Sequence, residues 1–296
     1  MSVDKLVYQQ ILEEKSQSPS TRSHIYKKIE KILKVPVISY FTSFNYPVMI
    51  ENVDADMIEG LLQKVDVSKG FALMISSPGG DGLAAERIIN ICRSYSGTGN
   101  FTTIVPGKAK SAATMICLGS GKIIMNETSE LGPIDPQFME VDEKGKSQVF
   151  SAYNLVTSYK KIFENAIKET GRMEPYLQAL DIYDARQIEQ CLSELELSQD
   201  IAVKALKTGM LKKNTEEEIV ELIKIFLIPE TTKVHGRPIY YQDAKNCNLN
   251  LELKKSKDEL WLQVYELYLR LNTYVSSNNI AKCIESSKYS FHSTFN

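Results

Sequence analysis

An α/β fold with a largely parallel sheet is predicted from three observations. Short strand-like runs at Phe71–Ile75, Phe101–Val105 and Lys122–Met125 alternate with helical patterns at Leu83–Tyr95 and Ser111–Leu118. The first run is continuously apolar, as expected of a strand buried on both faces. The resulting β-α-β-α-β order calls for right-handed crossovers, which set the strands parallel.

The elements follow in order. Residues 3–33 read as helical with a break near Ser16–Ser20. In Ser23–Leu33, Ile25, Ile29 and Ile32 share one face, the pattern of a helical arm packed on the core or on another subunit. Val35–Thr42 is β-branched and aromatic and reads as a strand. Asp54–Val65 reads as a helix for which Asp54 is the available cap. Within Leu83–Tyr95, the side chains Ala84, Ile88, Ile91 and Tyr95 form the core-facing stripe. Gln137–Phe150 predicts a hairpin turning at Asp142–Gly145. Residues 152–226 are almost wholly helical in pattern, punctuated by Gly171, Pro175 and Gly209. Ile239–Leu249 suggests a turn and short helix, and Glu252–Asn272 a long amphipathic helix holding Trp261, the single tryptophan. Ser276–Asn296 is rich in Ser and Asn and reads as a loose tail. This divides the chain into an arm (1–34), a main domain (35–251) and a C-terminal helix with tail (252–296).

Composition narrows the function. A chain of 296 residues suffices for one large domain or two small ones. A formal net charge of -2 makes no electrostatic case for nucleic acid or an anionic membrane. The five cysteines, Cys92, Cys117, Cys191, Cys247 and Cys283, are dispersed and form no CxxC or Cys/His cluster. That argues against zinc and against a disulfide framework, and fits a reducing cytoplasm. The N-terminus has no signal-peptide core, and no apolar run approaches the roughly 20 residues that span a bilayer. A cytoplasmic protein without metal or cofactor is expected. No Walker-type loop, Rossmann glycine pattern or glycosidase-type carboxylate pair occurs.

The chemistry is concentrated in two turns. Ser76-Ser77-Pro78-Gly79-Gly80 follows the first buried strand, and its glycines let a ligand approach bare backbone N–H groups. Such groups can hold a developing oxyanion. Lys110-Ser111-Ala112-Ala113 places a serine at a helix start, with small residues beside it and the Ala112 N–H as a second donor. A serine before a helix is ordinarily an N-cap, and Pro-Gly-Gly is ordinarily a tight turn. Their pairing across one βαβ unit makes Ser111 a candidate nucleophile for acyl transfer. Its base must be a histidine or a neutral lysine. The histidines are His24, His235 and His292. Lys108, Lys110, Lys160 and Lys161 are the lysines suited by location. A third turn, Leu131-Gly132-Pro133-Ile134-Asp135-Pro136, is stiff enough to wall a binding cleft and brings Asp135 with it.

Ser77-Pro78-Gly79-Gly80, Ala109-Lys110-Ser111-Ala112-Ala113-Thr114, Leu131–Gln137 and His235-Gly236-Arg237-Pro238-Ile239 occur in an order that resembles the serine dehydrogenase proteinases. These belong to the Clp/crotonase fold and are related to signal peptide peptidase A. The last of the four segments is similar to that family's HDYPI-type element. The resemblance runs from about Val35 to Leu251. It implies a spiral of ββα units, here with a helical N-terminal arm and a helical C-terminal extension. It also implies an ATP-independent serine peptidase acting on proteins or peptides as a homo-oligomer, compatible with membrane-protein substrates or an activating partner. Ser111 maps to the nucleophile, and Gly79, Gly80 and Ala112 to the oxyanion region. A lysine base about 50 residues after the serine, as in signal peptide peptidase relatives, falls on Lys160 and Lys161. His235 is the second choice.

There are departures. The histidine slot of Clp subunits holds Asp135-Pro136, the Gly-Gly after the serine is Ala112-Ala113, and the acid after the histidine is Gly236. Two other readings stand beside the peptidase, one supported by the unsettled base and unmatched ends and one by the same backbone oxyanion geometry. One is an inactive oligomeric scaffold or binding module. The other is a crotonase-type acyl-CoA enzyme, for which Glu86 and Glu130 are the nearest glutamates.

Overall fold

The computed structural model describes residues 5–14, 17–45, 48–141, 145, 147–168, 171, 173–229, 236–277 and 279–295. A seven-stranded sheet runs through its centre. Five strands are parallel and adjacent in the order β1 (Val37–Thr42), β2 (Ala72–Ser76), β3 (Thr102–Val105), β5 (Lys122–Met125) and β9 (Leu251–Leu253). Beyond β1, β10 (Ile280–Ser286) and β11 (Ser290–Thr294) add antiparallel.

Alternation along the strands builds two cores. Ile38, Tyr40, Leu73, Ile75, Val105, Ile123 and Met125 face one side. There they meet helices α3 (Asn52–Leu62), α4 (Gly82–Tyr95) and α5 (Ala112–Leu118), together with α8 (Ala185–Lys207) to α11 (Tyr241–Asn246). Val37, Phe41, Ala72, Met74, Ile104 and Ile124 face the other side, against α2 (Ser20–Leu33) and α12 (Glu259–Ser277). The period of two in the strands thus becomes a helix–sheet–helix sandwich. Between α8 and α11 lie α9 (Glu216–Leu222) and α10 (Lys224–Leu227). Short strands β4 (Lys108–Ala109) and β6 (Glu130–Leu131) pair outside the main sheet. An antiparallel hairpin, β7 (Gln137–Val141) and β8 (Ser147–Ser151), leads into α6 (Ala152–Lys168) and α7 (Glu174–Leu180). The predicted hairpin therefore forms, although its tip at 142–144 lies outside the described residues.

Two readings need correction. Asp54 does not cap α3: Glu51 is the N-cap, and the Asp54 carboxylate reaches back to the Glu51 N–H at 2.8 Å. The expected loose tail is instead β10 and β11. Its Ser and Asn content disguised β10, whose two charged residues, Lys282 and Glu285, are buried. Glu285 takes a two-pronged contact from Arg22 of α2, at 2.7 and 2.6 Å, with both side chains fully buried. Lys282 is 8% exposed and contacts Asp54 and Glu51, each at 2.8 Å. The N-terminal helix α1 (Val7–Glu13) and α2 lie against α12, with Glu14 bonded to Arg270 at 2.5 Å. Among the described residues no helix is long and apolar enough to cross a membrane.

All five cysteines are buried and none is in a disulfide, and burial pushes the Cys117 and Cys283 thiols up to about 12. Native protein treated with iodoacetamide at pH 8 should stay unmodified, and unfolded protein should take up five adducts by intact mass. Arg22→Met leaves Glu285 buried without its partner and should cost about 3–5 kcal/mol in urea denaturation. Arg22→Met/Glu285→Leu should recover much of that loss.

Candidate active site

Both motif turns leave the carboxyl end of the sheet, where open α/β sheets place their ligands. Ser77 sets them side by side: its N–H donates to the Lys108 carbonyl and its carbonyl accepts from the Lys110 N–H, each at 3.0 Å. The approach that follows excludes any Cβ on Gly79 (φ 113°), which would stand 2.7 Å from Ser111 Cβ and 2.8 Å from the Lys110 carbonyl oxygen. Gly80 (φ 154°) is held as tightly, since a Cβ there would lie 2.1 Å from the Ile50 nitrogen. Ile50 donates to the Gly79 carbonyl at 2.8 Å and accepts from the Asp81 N–H at 2.9 Å, so the Gly80 N–H faces away from it.

The expected oxyanion donors therefore divide. The Gly79 N–H donates to Ser77 Oγ at 3.1 Å, and Ser77 Oγ also accepts from Thr42 Oγ1 at 2.8 Å. Among the described residues the N–H groups of Gly80 and Ala112 have no acceptor. Behind Ile50, the buried Asp54 carboxylate gathers Lys282, Tyr40 OH at 2.7 Å and the Glu51 N–H. A residue of β10 thus braces the backbone that holds Gly80.

Ser111 occupies the N-cap position of α5, but its side chain does not cap the helix. It has φ 48° and ψ −120°, and its side chain makes no cap hydrogen bond to α5. A non-glycine residue held there costs about 1–3 kcal/mol, a conformation that persists only where the surroundings enforce it. A strand-to-helix serine turn of this kind lifts the hydroxyl off the helix end. Among the described residues its Oγ has no hydrogen-bond partner. Gly79, Gly80 and Ser111 line one cavity of about 510 Å³. The buried Ala112 lies directly behind Ser111.

The other candidates are placed as follows. Lys110 is turned to Glu130 at 2.9 Å and the Leu131 carbonyl at 3.1 Å. Burial holds its ammonium below the usual lysine range, with Glu130 acting in the opposite direction. Gly132 makes room for its stem, for a Cβ there would stand 2.7 Å from Lys110 Cδ. Lys108, Lys160 and Lys161 are exposed and outside the cavity lining, the last two on α6. His24 is exposed on α2, and His292 on β11 contacts Tyr274. His235 lies outside the described residues. The segment after it is anchored, because Ile239 and Leu131 exchange two backbone hydrogen bonds at 3.0 Å. Asp135 is buried, with Ser151 Oγ at 2.8 Å and Gln137 Nε2 at 2.9 Å on its carboxylate. Its neighbours Ile134 and Pro136 line the cavity. Glu86 lines a different cleft.

The helix α8, expected as a helix but not as part of the site, supplies Glu194, Leu197, Ser198 and Ile201 to the wall. Their spacing of three, four and seven residues places them on one helix face. That signal was present, but nothing in the sequence shows that this face meets the Ser111 turn. Among the described residues no group of His, Cys, Asp or Glu side chains could hold a metal ion.

Gly80→Ala should destabilise the protein by about 3 kcal/mol or more in urea denaturation, since the backbone bridge to Ile50 must open. Gly60→Ala in α3, where a Cβ meets nothing within 4 Å, should raise stability by up to about 1 kcal/mol.

A model of the ClpP-like SDH-type serine proteinases matches residues 40–246, from within β1 to the end of α11. Two proteins of Methanocaldococcus jannaschii are similar. Uncharacterized protein MJ0137 is 27% identical over 215 residues, which cover 73% of this chain and 64% of the relative. Uncharacterized protein MJ1495 is 28% identical over 196 residues, covering 59% and 63%. The matches thus span somewhat less than two thirds of each relative's length.

Proposed function

The chain belongs to the family of ClpP-like SDH-type serine proteinases, and we propose that it is an active serine peptidase with Ser111 as its nucleophile. The observation that carries the reading is the backbone of Ser111, held at positive φ with a free hydroxyl on the cavity, beside the unpaired Gly80 and Ala112 N–H groups. In this mechanism Ser111 Oγ attacks the scissile carbonyl. The oxyanion is taken up by the Gly80 and Ala112 N–H groups. The tetrahedral adduct then expels the amine, and water resolves the acyl-enzyme. One oxyanion donor of this kind contributes about 10²–10³ in rate.

The base we assign is His235, with Asp135 to orient it. Three observations support that choice over Lys160 and Lys161. Both lysines are exposed on α6, away from the cavity lining. No lysine lines the cavity among the described residues. The paired residues Ile239 and Leu131 each lie four positions along the chain from His235 and Asp135 respectively. Asp135, in this reading, stands behind the cleft wall as the buried carboxylate an imidazole base requires. The homo-oligomer implied by the resemblance belongs to the same proposal. It is supported by Phe163, Ile167, Leu177 and Ile182, apolar side chains of the α6–α7 region that are 47–79% exposed. Sedimentation should find a multimer that Ile167→Glu weakens.

A fluorophosphonate probe should add once to the wild-type protein by intact mass and not at all to Ser111→Ala. His235→Ala should slow labelling by about a hundredfold or more, and Asp135→Asn should slow it less. Lys160→Ala/Lys161→Ala should leave the rate within twofold. If the double lysine variant loses labelling while His235→Ala keeps it, the base assignment is wrong and a Ser–Lys dyad operates. Absence of any adduct on wild type removes the peptidase reading.

A further inference from the structure

We propose that the cavity beside Ser111 selects substrates bearing a lysine or arginine side chain next to the scissile bond, and that Glu194 is the residue that selects them. This inference rests on the peptidase reading of the same cavity. Glu194 lies on α8, half-buried, and lines the wall of the cavity that holds Ser111 and Gly80. It takes part in no salt bridge or hydrogen bond among the described residues. Asp81 is the other ionisable group of the lining, and one of its carboxylate oxygens already caps α4 through the Leu83 and Ala84 N–H groups at 2.7 and 3.2 Å. Among the described residues no cationic side chain lines the cavity. The site therefore carries an unbalanced negative charge in a partly desolvated wall.

The rest of the wall fits the same ligand. Met115, Leu197 and Ile201 add apolar surface to the lining that holds Ser111 and Glu194. Lysine and arginine side chains pair an apolar stem with a charged tip, and they bury the stem where the tip can reach a partner. A guanidinium or ammonium at Glu194 completes a charge-assisted contact that the free protein lacks. A substrate carboxylate at the same place meets repulsion from Glu194 and Asp81, so the wall discriminates in both directions. Glu194 acts on substrate recognition and takes no part in bond making.

The test separates recognition from catalysis. Fluorescein-labelled peptides identical except for arginine, norleucine or glutamate at one central position are titrated by fluorescence anisotropy. The proteins are Ser111→Ala and Ser111→Ala carrying Glu194→Gln or Glu194→Lys. The arginine peptide should bind the Ser111→Ala protein about ten- to a hundredfold more tightly than the norleucine peptide. Glu194→Gln should abolish that ratio while leaving norleucine binding within twofold, and Glu194→Lys should make the glutamate peptide the tightest. Equal affinity for arginine and norleucine, or no measurable binding of any peptide, overturns the inference, as does an arginine preference that survives Glu194→Gln. Hydrolysis of the same peptides by wild-type protein is followed in parallel. Arginine-selective binding without hydrolysis or probe labelling would mean that the peptidase reading fails and the recognition stands. Hydrolysis without selectivity would mean the opposite.

Discussion

Ser77 exchanges backbone hydrogen bonds with Lys108 and Lys110, and the geometry of the whole cleft depends on that exchange. It draws the turn after β2 against the start of α5, until Gly79 has no room for a side chain and Ser111 is forced into positive φ. The bare Gly79 and the strained Ser111 meet at one approach of two backbones. The strain is sustained because α5 is buried along its entire length and cannot back away. Thr114 adds a second tie from inside the helix, donating to the Ala109 carbonyl at 2.8 Å and accepting from the Gly132 N–H at 3.0 Å. The nucleophile turn, the glycine turn and the proline-rich turn are thereby parts of one rigid body.

The charges inside the protein serve that rigidity. Lys282 reaches from β10 to Asp54 and Glu51, immediately beside the Ile50 backbone that grips Gly80. Arg22 and Glu285 join α2 to the same strand. Buried pairs of this kind contribute little net stability against an apolar replacement, because desolvation offsets their attraction. Here they join β10 to α2 on one side and to the start of α3 on the other. Neither α2 nor β10 lies within residues 40–246, yet both reach the frame of the site.

Much of this was legible in the sequence. The strands β1, β2, β3 and β5 announce themselves by unbroken apolar or β-branched runs, and the helices between them by their stripes. Ser111, Gly79 and Gly80 stood out through residue type and position, and the structure brings all three to one cavity. What could not be read depends on contacts distant in the chain. Lys282 and Glu285 look like surface residues until Asp54 and Arg22 are seen opposite them. That Gly80 and Ala112 keep free N–H groups while Gly79 spends its own on Ser77 depends on a hydroxyl rotamer and a parallel bridge, neither of which has a sequence signature. Glu194 hides in 23 residues of ordinary amphipathic helix.

The junction of α2 with β10 also governs when this site can exist. Arg22 and Glu285 are 263 positions apart, so the contact closes one of the longest loops among the described residues, the kind of closure that topology makes slow. Until β10 arrives, β1 has a bare edge, Asp54 lacks its lysine, and Ile50 is held from one side only. A chain still emerging from the ribosome lacks the brace behind Gly80 until Lys282 is out. Synthesis therefore runs ahead of competence, and the cleft is rigid only after β10 has left the exit tunnel.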